Sequence, residues 1–261
     1  MRGPDGVSLN DTLLAGPALQ PDLPGILMRF RHHRITLIAD IEKMFLQVSM
    51  NPVDRDCQRF LWRNLDTDKE PEVFRLATVT FGLTSSRFSS IKTVLDHVAL
   101  HREDYPKAAA EIEESIFVDD ILSGDDVDAE VAELAVGLKS ILSPEWNLRK
   151  FLSNVPGVLS NLATEDIASE LTEKIVGEEI ATKALGVRYL PIEDVLMFSF
   201  VKKMEDVELE IRRSVLKQLH RIYDPLGMLS PFVLKAKQIF QQSWVTTGGW
   251  NDALPSEIEE E

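Results

Sequence analysis

A single cysteine, Cys57, excludes an intrachain disulfide and any multi-cysteine zinc site in this 261-residue chain, and its expected role is packing. Long apolar runs are missing as well. No stretch approaches the roughly 20 consecutive apolar residues of a membrane span, and Met1-Arg2-Gly3-Pro4-Asp5-Gly6 has no signal-peptide core. The expectation is a soluble, intracellular, cytoplasmic protein with no membrane partner. Short-period repeats are absent, and the acidic end Glu257-Ile258-Glu259-Glu260-Glu261 reads as a solvated tail. Positive charge is scarce: 28 Lys and Arg face 43 Asp and Glu, a formal net charge of −15. That balance argues against a nucleic-acid binder, because phosphate affinity comes from lysine and arginine.

The deficit is local. Residues 111–195 hold 19 acids against 6 bases, which leaves 24 acids against 22 bases in the rest of the chain. Near-neutral regions can therefore carry basic stripes, and Arg29, Arg31, Arg34 form one cluster, with Arg212, Arg213, Lys217, Arg221, Lys235, Lys237 as another.

A composition of 44% hydrophobic residues is that of an ordinary globular protein able to bury a sizeable core. Within it, Asp119 and Asp120 interrupt the apolar run Ile116-Phe117-Val118-Asp119-Asp120-Ile121-Leu122. Strand formers on both sides read as a hairpin with the acids at its tip. Carboxylates forced together repel unless a cation neutralises them. Upstream, Ile35-Thr36-Leu37-Ile38-Ala39 ends in Asp40, a third carboxylate on a candidate neighbouring strand. Three convergent carboxylates suit a two-metal phosphoryl-transfer site; read alone, Asp-Asp is equally the composition of a solvated turn.

The first 30 residues read as loop-rich, broken by Pro4, Pro17, Pro21 and Pro24. Ser86 to His101 carries Phe88, Ile91, Leu95 and Val98 at helical spacing, and Val127, Val131, Leu134, Leu138, Ile141 and Leu142 form a second apolar face that Pro144 ends. Strand, helix, hairpin and helix in this order predict an α+β fold, an antiparallel sheet with helices on one face and the carboxylates on the other. Alternation around Pro191-Ile192-Glu193-Asp194 predicts a further hairpin. Residues 203–261 read as mainly helical: Val207, Ile211, Val215, Leu219 and Ile222 form a stripe, Asp224-Pro225-Leu226-Gly227 breaks it, and Ser230-Pro231 opens a new helix as N-cap and first-turn proline. A domain boundary is expected near Val201 to Lys203. Trp62, Trp146, Trp244 and Trp250 read as packing residues, and His32 and His33 have no partner at metal-ligand spacing.

Phe117-Val118-Asp119-Asp120 resembles the aromatic-x-Asp-Asp box of reverse transcriptases, Asp40-Ile41-Glu42-Lys43-Met44-Phe45-Leu46-Gln47-Val48 their first metal-binding motif, and Phe81-Gly82-Leu83-Thr84-Ser85-Ser86 their nucleotide-site motif. Ser8-Leu9-Asn10-Asp11, the segment Asp54 to Arg63 and Tyr223-Asp224-Pro225-Leu226-Gly227-Met228-Leu229-Ser230-Pro231-Phe232 narrow the resemblance to the reverse transcriptase segment of BEL/Pao-type retrotransposon Pol polyproteins, from about Ser8 to Trp250. The resemblance implies a polymerase palm with partial fingers and a mainly helical thumb or connection: 1–30 a loop-rich remnant of fingers, 31–202 the palm with partial fingers at about 52–80, and 203–261 the helical region with its acidic tail. It implies an RNA-directed DNA polymerase acting on a primed RNA or DNA template with deoxynucleoside triphosphates, in virus-like particles for an intact element. No feature fixes an oligomeric state.

By the same resemblance Asp40, Asp119 and Asp120 hold two Mg²⁺ or Mn²⁺ ions, with Asp120 the less direct ligand. Phe45 bars a 2′-hydroxyl, Phe81 and Gly82 line the nucleotide, and Lys150 steadies the triphosphate or protonates pyrophosphate. Leu185, Gly186 and Tyr189 form a primer grip, and Arg212, Arg213, Lys217 and Arg221 touch the nucleic-acid backbone. Read without it, Phe45 is core, Lys150 a surface lysine and Leu185 to Tyr189 an amphipathic strand. The chain departs from the pattern at Arg87, where relatives carry proline, and by the same resemblance the early fingers strands with their triphosphate clamp are expected to fall before Ser8, outside this sequence. Protease, RNase H and integrase signatures are not recognisable. Two alternatives stay open beside the polymerase: an inactive or co-opted remnant that folds and binds only, and another palm-like nucleotidyl enzyme such as a nucleotide cyclase, against which Phe81-Gly82 and the primer-grip resemblance count.

Overall fold

The computed structural model describes residues 6–168, 182–197, 211–245 and 248–254. The chain divides into two compact units, Met1–Glu173 and Lys174–Glu261. The boundary expected at Val201 to Lys203, the residue Val207 and the acidic tail lie outside the described residues.

The first unit is built on strand β1 (Ile35–Ile41), whose apolar run is buried on both faces. It is central in an antiparallel sheet of order β4-β5-β1-β6, with β4 (Ile116–Phe117), β5 (Asp120–Asp125) and β6 (Leu148–Leu152). Ile35, Leu37, Ala39 and Ile41 point into the main core. That core is closed by α4 (Ser86–Leu100), α5 (Pro106–Ser115) and α6 (Asp128–Leu142). On α6, Val131, Leu134, Leu138, Ile141 and Leu142 are buried at the expected spacing, each full burial contributing about 1.5–3 kcal/mol. Val127 is the exposed N-cap of that helix and stands outside the face assigned to it.

Residues 1–30 are not loop alone. A short helix α1 (Leu9–Thr12) is followed by α2 (Leu23–His32), in which Ile26, Leu27 and Phe30 are fully buried. Pro24 falls in the first turn, where its missing N–H costs nothing, and the Asp22 carboxylate accepts from Gly25 N at 3.0 Å. Helix α2 packs on β1 and β5. The second sheet face is therefore partly covered, and Ile38 and Leu122, which alternate away from the main core, are 7% and 1% exposed. This corrects the expectation of helices on one face only.

Strands β2 (Arg59–Trp62) and β3 (Glu72–Arg75) form a separate two-stranded ribbon that is exposed throughout. Two positions assigned to packing are corrected here: Cys57 lies exposed in a 3₁₀ turn beside the ribbon, and Trp62 sits on β2 at 47% exposure. Among the described residues nothing buries either strand, so side-chain size was no guide to burial here. Trp146, by contrast, packs in the core.

In the second unit, β7 (Thr182–Ala184), β8 (Val187–Leu190) and β9 (Val195–Met197) form an antiparallel meander, beside a pair of packed helices, α7 (Arg212–Leu219) and α8 (Ser230–Gln242). The hairpin around Pro191 to Asp194 is the β8–β9 turn. Ser230 is the first residue of α8, not its N-cap. The Asp224 carboxylate accepts from Met228 N and Leu229 N at 3.0 and 2.7 Å, which ties the Asp-Pro-Leu-Gly turn leading into α8; the helix itself has no side-chain cap.

Candidate active site

The β1–β5 register sets Asp40 directly opposite Asp120. Cross-strand partners share a sheet face, so the two carboxylates project on the side of Ile38 and Leu122. Asp119 occupies the two-residue turn between Phe117 and Asp120, and its carbonyl accepts from Ile41 N at 2.7 Å. The turn is thereby tied to the end of β1. Val118, before the acids, adopts φ 61°, a strained left-handed conformation for a β-branched residue. All three acids gather at one end of the β1–β5 pair.

Their electrostatics follow from that crowding. Burial, then the charges of Asp119 and Asp40, push the Asp120 carboxyl up to about 7. Asp119 is raised as well, by burial first and by Asp40. Lys150 opposes both shifts, and its Nζ lies 3.2 Å from Asp40 Oδ2. Its position comes from a β-bulge. Ile38 pairs with Leu152 and Asp40 with Arg149, so Lys150 and Phe151 together oppose Ala39, and Lys150 turns to φ 55°.

Among the described residues no group of three or more His, Cys, Asp or Glu side chains is arranged to hold a metal ion. The donors at this corner are all hard oxygens, and the ionised forms of two of them are destabilised by burial first and by neighbouring negative charge second, which Lys150 only partly offsets. Their chemistry fits Mg²⁺ or Mn²⁺, although the side chains as they stand do not form a closed cage.

Phe45, on the one-turn helix α3 (Met44–Gln47), is half-buried and meets the 65% exposed Phe81, ring centroids 5.0 Å apart. Gly82 follows at φ 87°, with open space where a Cβ would stand. The side chain of Asn10 grips this loop: its Nδ2 donates to Gly82 O at 2.8 Å and its Oδ1 accepts from Thr84 N at 3.0 Å. Nothing local in Ser8-Leu9-Asn10-Asp11 points to this role of Asn10, because the partner lies 72 positions away. Arg87 is exposed in the first turn of α4, whose first residue Ser86 donates from Oγ to Thr80 O at 2.5 Å.

In the second unit, Leu185 and Gly186 form the β7–β8 turn at φ 50° and 87°, the two positive angles of a type I′ hairpin. Tyr223 Oη donates to Leu185 O at 3.0 Å, and a Cβ on Gly186 would meet the Tyr223 ring at 2.9 Å. Tyr189 is fully buried, its hydroxyl on Asp194 Oδ1 at 2.7 Å.

The basic cluster splits. Arg212 is 1% exposed, donates to Ser243 O at 2.6 Å and Gly249 O at 2.9 Å, and lies 5.1 Å over the Trp244 ring. This corrects its assignment to the nucleic-acid backbone: the guanidinium is committed to carbonyls inside the unit. Arg213 and Lys217 are exposed, whereas Arg221 is half-buried with an unpartnered Nη1. In the first unit Arg34 is also engaged, by Asp126 and Asp128.

Residues 211–261 match the family model described as the Pao retrotransposon-like RNaseH-like domain. No curated protein matches the chain in sequence. Among solved structures, it is similar to the foamy viral protease-reverse transcriptase dRH in complex with double-stranded DNA, at 15% identity and a TM-score of 0.60, covering 100% of this chain and 41% of that one. A second is the foamy viral protease-reverse transcriptase in complex with an RNA/DNA hybrid, at 14% identity and a TM-score of 0.57, covering 97% and 30%. The chain thus spans less than half the length of either. At these identities the likeness establishes a mixed α/β fold of antiparallel sheets flanked by helices. No described helix is long and apolar enough to cross a membrane.

Proposed function

We propose that the chain is the core of an RNA-directed DNA polymerase of BEL/Pao type, in which 31–202 serve as palm with partial fingers and 203–261 as a thumb or connection. The observation that carries this reading is the pairing of Asp40 with Asp120 beside the Asp119 turn. Asp40, Asp119 and Asp120 would hold two Mg²⁺ or Mn²⁺ ions, which when bound lower the pKa of a primer 3′-hydroxyl and neutralise charge on the triphosphate. In the transfer the 3′-oxygen bonds the α-phosphorus, the bond to the β-phosphate oxygen breaks, the hydroxyl proton passes to solvent and pyrophosphate leaves. Lys150, within reach of Asp40, is placed to donate a proton or a hydrogen bond to that leaving group. Phe45 and Phe81 supply a ring pair against which a deoxyribose packs and a 2′-hydroxyl clashes. Leu185 and Gly186 serve as the primer grip, Tyr189 supporting them from within. Arg213, Lys217 and Arg221 meet the duplex backbone of a primed template.

A second reading, a folded module that binds without catalysis, is favoured by the Lys150–Asp40 ion pair, which occupies one of the required carboxylates. Primer extension on poly(rA)/oligo(dT) with Mg²⁺ or Mn²⁺ separates the two. Incorporation that disappears in Asp119→Asn supports the polymerase, whereas no incorporation by the unaltered chain supports the module.

A further inference from the structure

Glu42 lies two residues beyond Asp40 and is held at both carboxylate oxygens. Oε1 accepts from Arg149 Nη1 and Oε2 from Asn147 Nδ2, each at 2.9 Å, while Glu42 N donates to Asn147 O at 2.9 Å. Asn147 is braced in turn. Its Oδ1 accepts from Lys139 Nζ at 2.8 Å, and the same ammonium donates to Leu148 O at 2.8 Å and to Asp166 Oδ1 at 2.6 Å. The chain of contacts runs from α6 to the residue immediately before the bulge.

We infer that Glu42 is a positioning residue: by clamping Asn147 and Arg149 it fixes the β6 bulge in the register that delivers Lys150 to Asp40. The bulge needs such an anchor. Lys150 in a left-handed conformation is disfavoured locally, and a one-residue slip of β6 would carry its side chain to the opposite sheet face. Arg149 pairs with Asp40 in the ladder but directs its guanidinium to Glu42, leaving the Asp40 carboxylate to Lys150. What Lys150 does there rests on the polymerase reading; that Glu42 places it does not.

The test is a pair of double-mutant cycles on the full chain at fixed pH, with unfolding equilibria of the parent, Asp40→Asn, Lys150→Met and the double variant, in the presence and absence of Glu42. With Glu42, the Asp40–Lys150 coupling should change the unfolding constant by about two- to fivefold, as for an exposed pair. In Glu42→Ala it should fall to about one, and in Glu42→Gln, which keeps an acceptor for Asn147, most of it should return. Arg149→Met is the second variant should Glu42→Ala fail to fold, with the same loss expected. Equal coupling with and without the clamp overturns the inference, as does an absence of coupling in the parent. Because the cycle reads stability and not turnover, a chain inert in primer extension whose coupling still depends on Glu42 would sink the polymerase reading and leave this one standing.

Discussion

Asp40 and Asp120 are direct partners across the antiparallel β1–β5 ladder, two carboxylates facing one another at the half-buried end of the sheet. The folded chain therefore binds a proton at Asp120 more tightly than the unfolded chain does, with titration near 7 against an ordinary 3.8. Stability from this group is complete below about pH 4 and declines as pH rises through about 7. Asp120→Asn should reduce the decline to the part that the raised Asp119 carboxyl contributes, and raise stability at pH 8 by on the order of 2–4 kcal/mol. Urea unfolding against pH in chelator checks it, and an unchanged slope in the variant would contradict the crowding described here.

Phe45 and Phe81 present an aromatic pair at the proposed sugar site. Phe45→Val should lower the ratio of kcat/KM for deoxynucleotides over ribonucleotides by roughly ten- to hundredfold, chiefly by admitting ribonucleotides. A constant ratio in an active variant would make Phe45 a packing residue of the main core and of Phe81 instead.

Asn10 holds the Gly82 loop by two hydrogen bonds, so Asn10→Ala should raise nucleotide KM about three- to tenfold while kcat changes little, each lost bond contributing about 1 kcal/mol or less. Steady-state kinetics at saturating primer-template measure the split. A fall in kcat with unchanged KM would place the loop away from the nucleotide.

Neighbouring arginines on α7 should behave oppositely. Arg212→Met strands the carbonyls of Ser243 and Gly249 and should cost about 2–4 kcal/mol of stability. Charge reversal at exposed Lys217 should instead spare stability, and at exposed Arg213, which gives up only a bond to Asn251 and its place over Trp250, should cost about 1 kcal/mol; both should weaken duplex binding and reduce its salt slope by about one for each phosphate no longer neutralised. Titrations at several salt concentrations decide this. Binding indifferent to both reversals would remove α7 from the interface.

Periodicity was a sound guide where burial follows it. On α6 the apolar face lies where spacing placed it from Val131 onward, as does the hairpin carrying Asp119 and Asp120; on α4 Ile91 and Val98 are buried as expected, but Phe88 and Leu95 are only half-buried and the buried face takes in Val94 instead. Helix α2 is hidden in the sequence because Pro21 and Pro24 read as breakers, although Pro21 precedes the helix and Pro24 sits in its first turn, where proline is compatible with a helix. Arg212 could not be told from Arg213 by composition. What separates them is a shell of carbonyls contributed by Ser243 and Gly249, more than 30 positions away. The same distance in sequence hid Asn10 and the Glu42–Asn147–Arg149 clamp, since hydrogen-bond partners across 72 to 107 positions leave no local pattern.

The central claim is that Asp40, Asp119 and Asp120 act together as a cation site, and Mn²⁺ binding followed by electron paramagnetic resonance tests it most directly. With primer-template and a deoxynucleoside triphosphate present, and after subtraction of metal bound to those ligands alone, the chain should take up two Mn²⁺ ions. Asp40→Asn or Asp119→Asn should abolish at least one of them. Equal Mn²⁺ uptake by the chain and both variants would contradict the account.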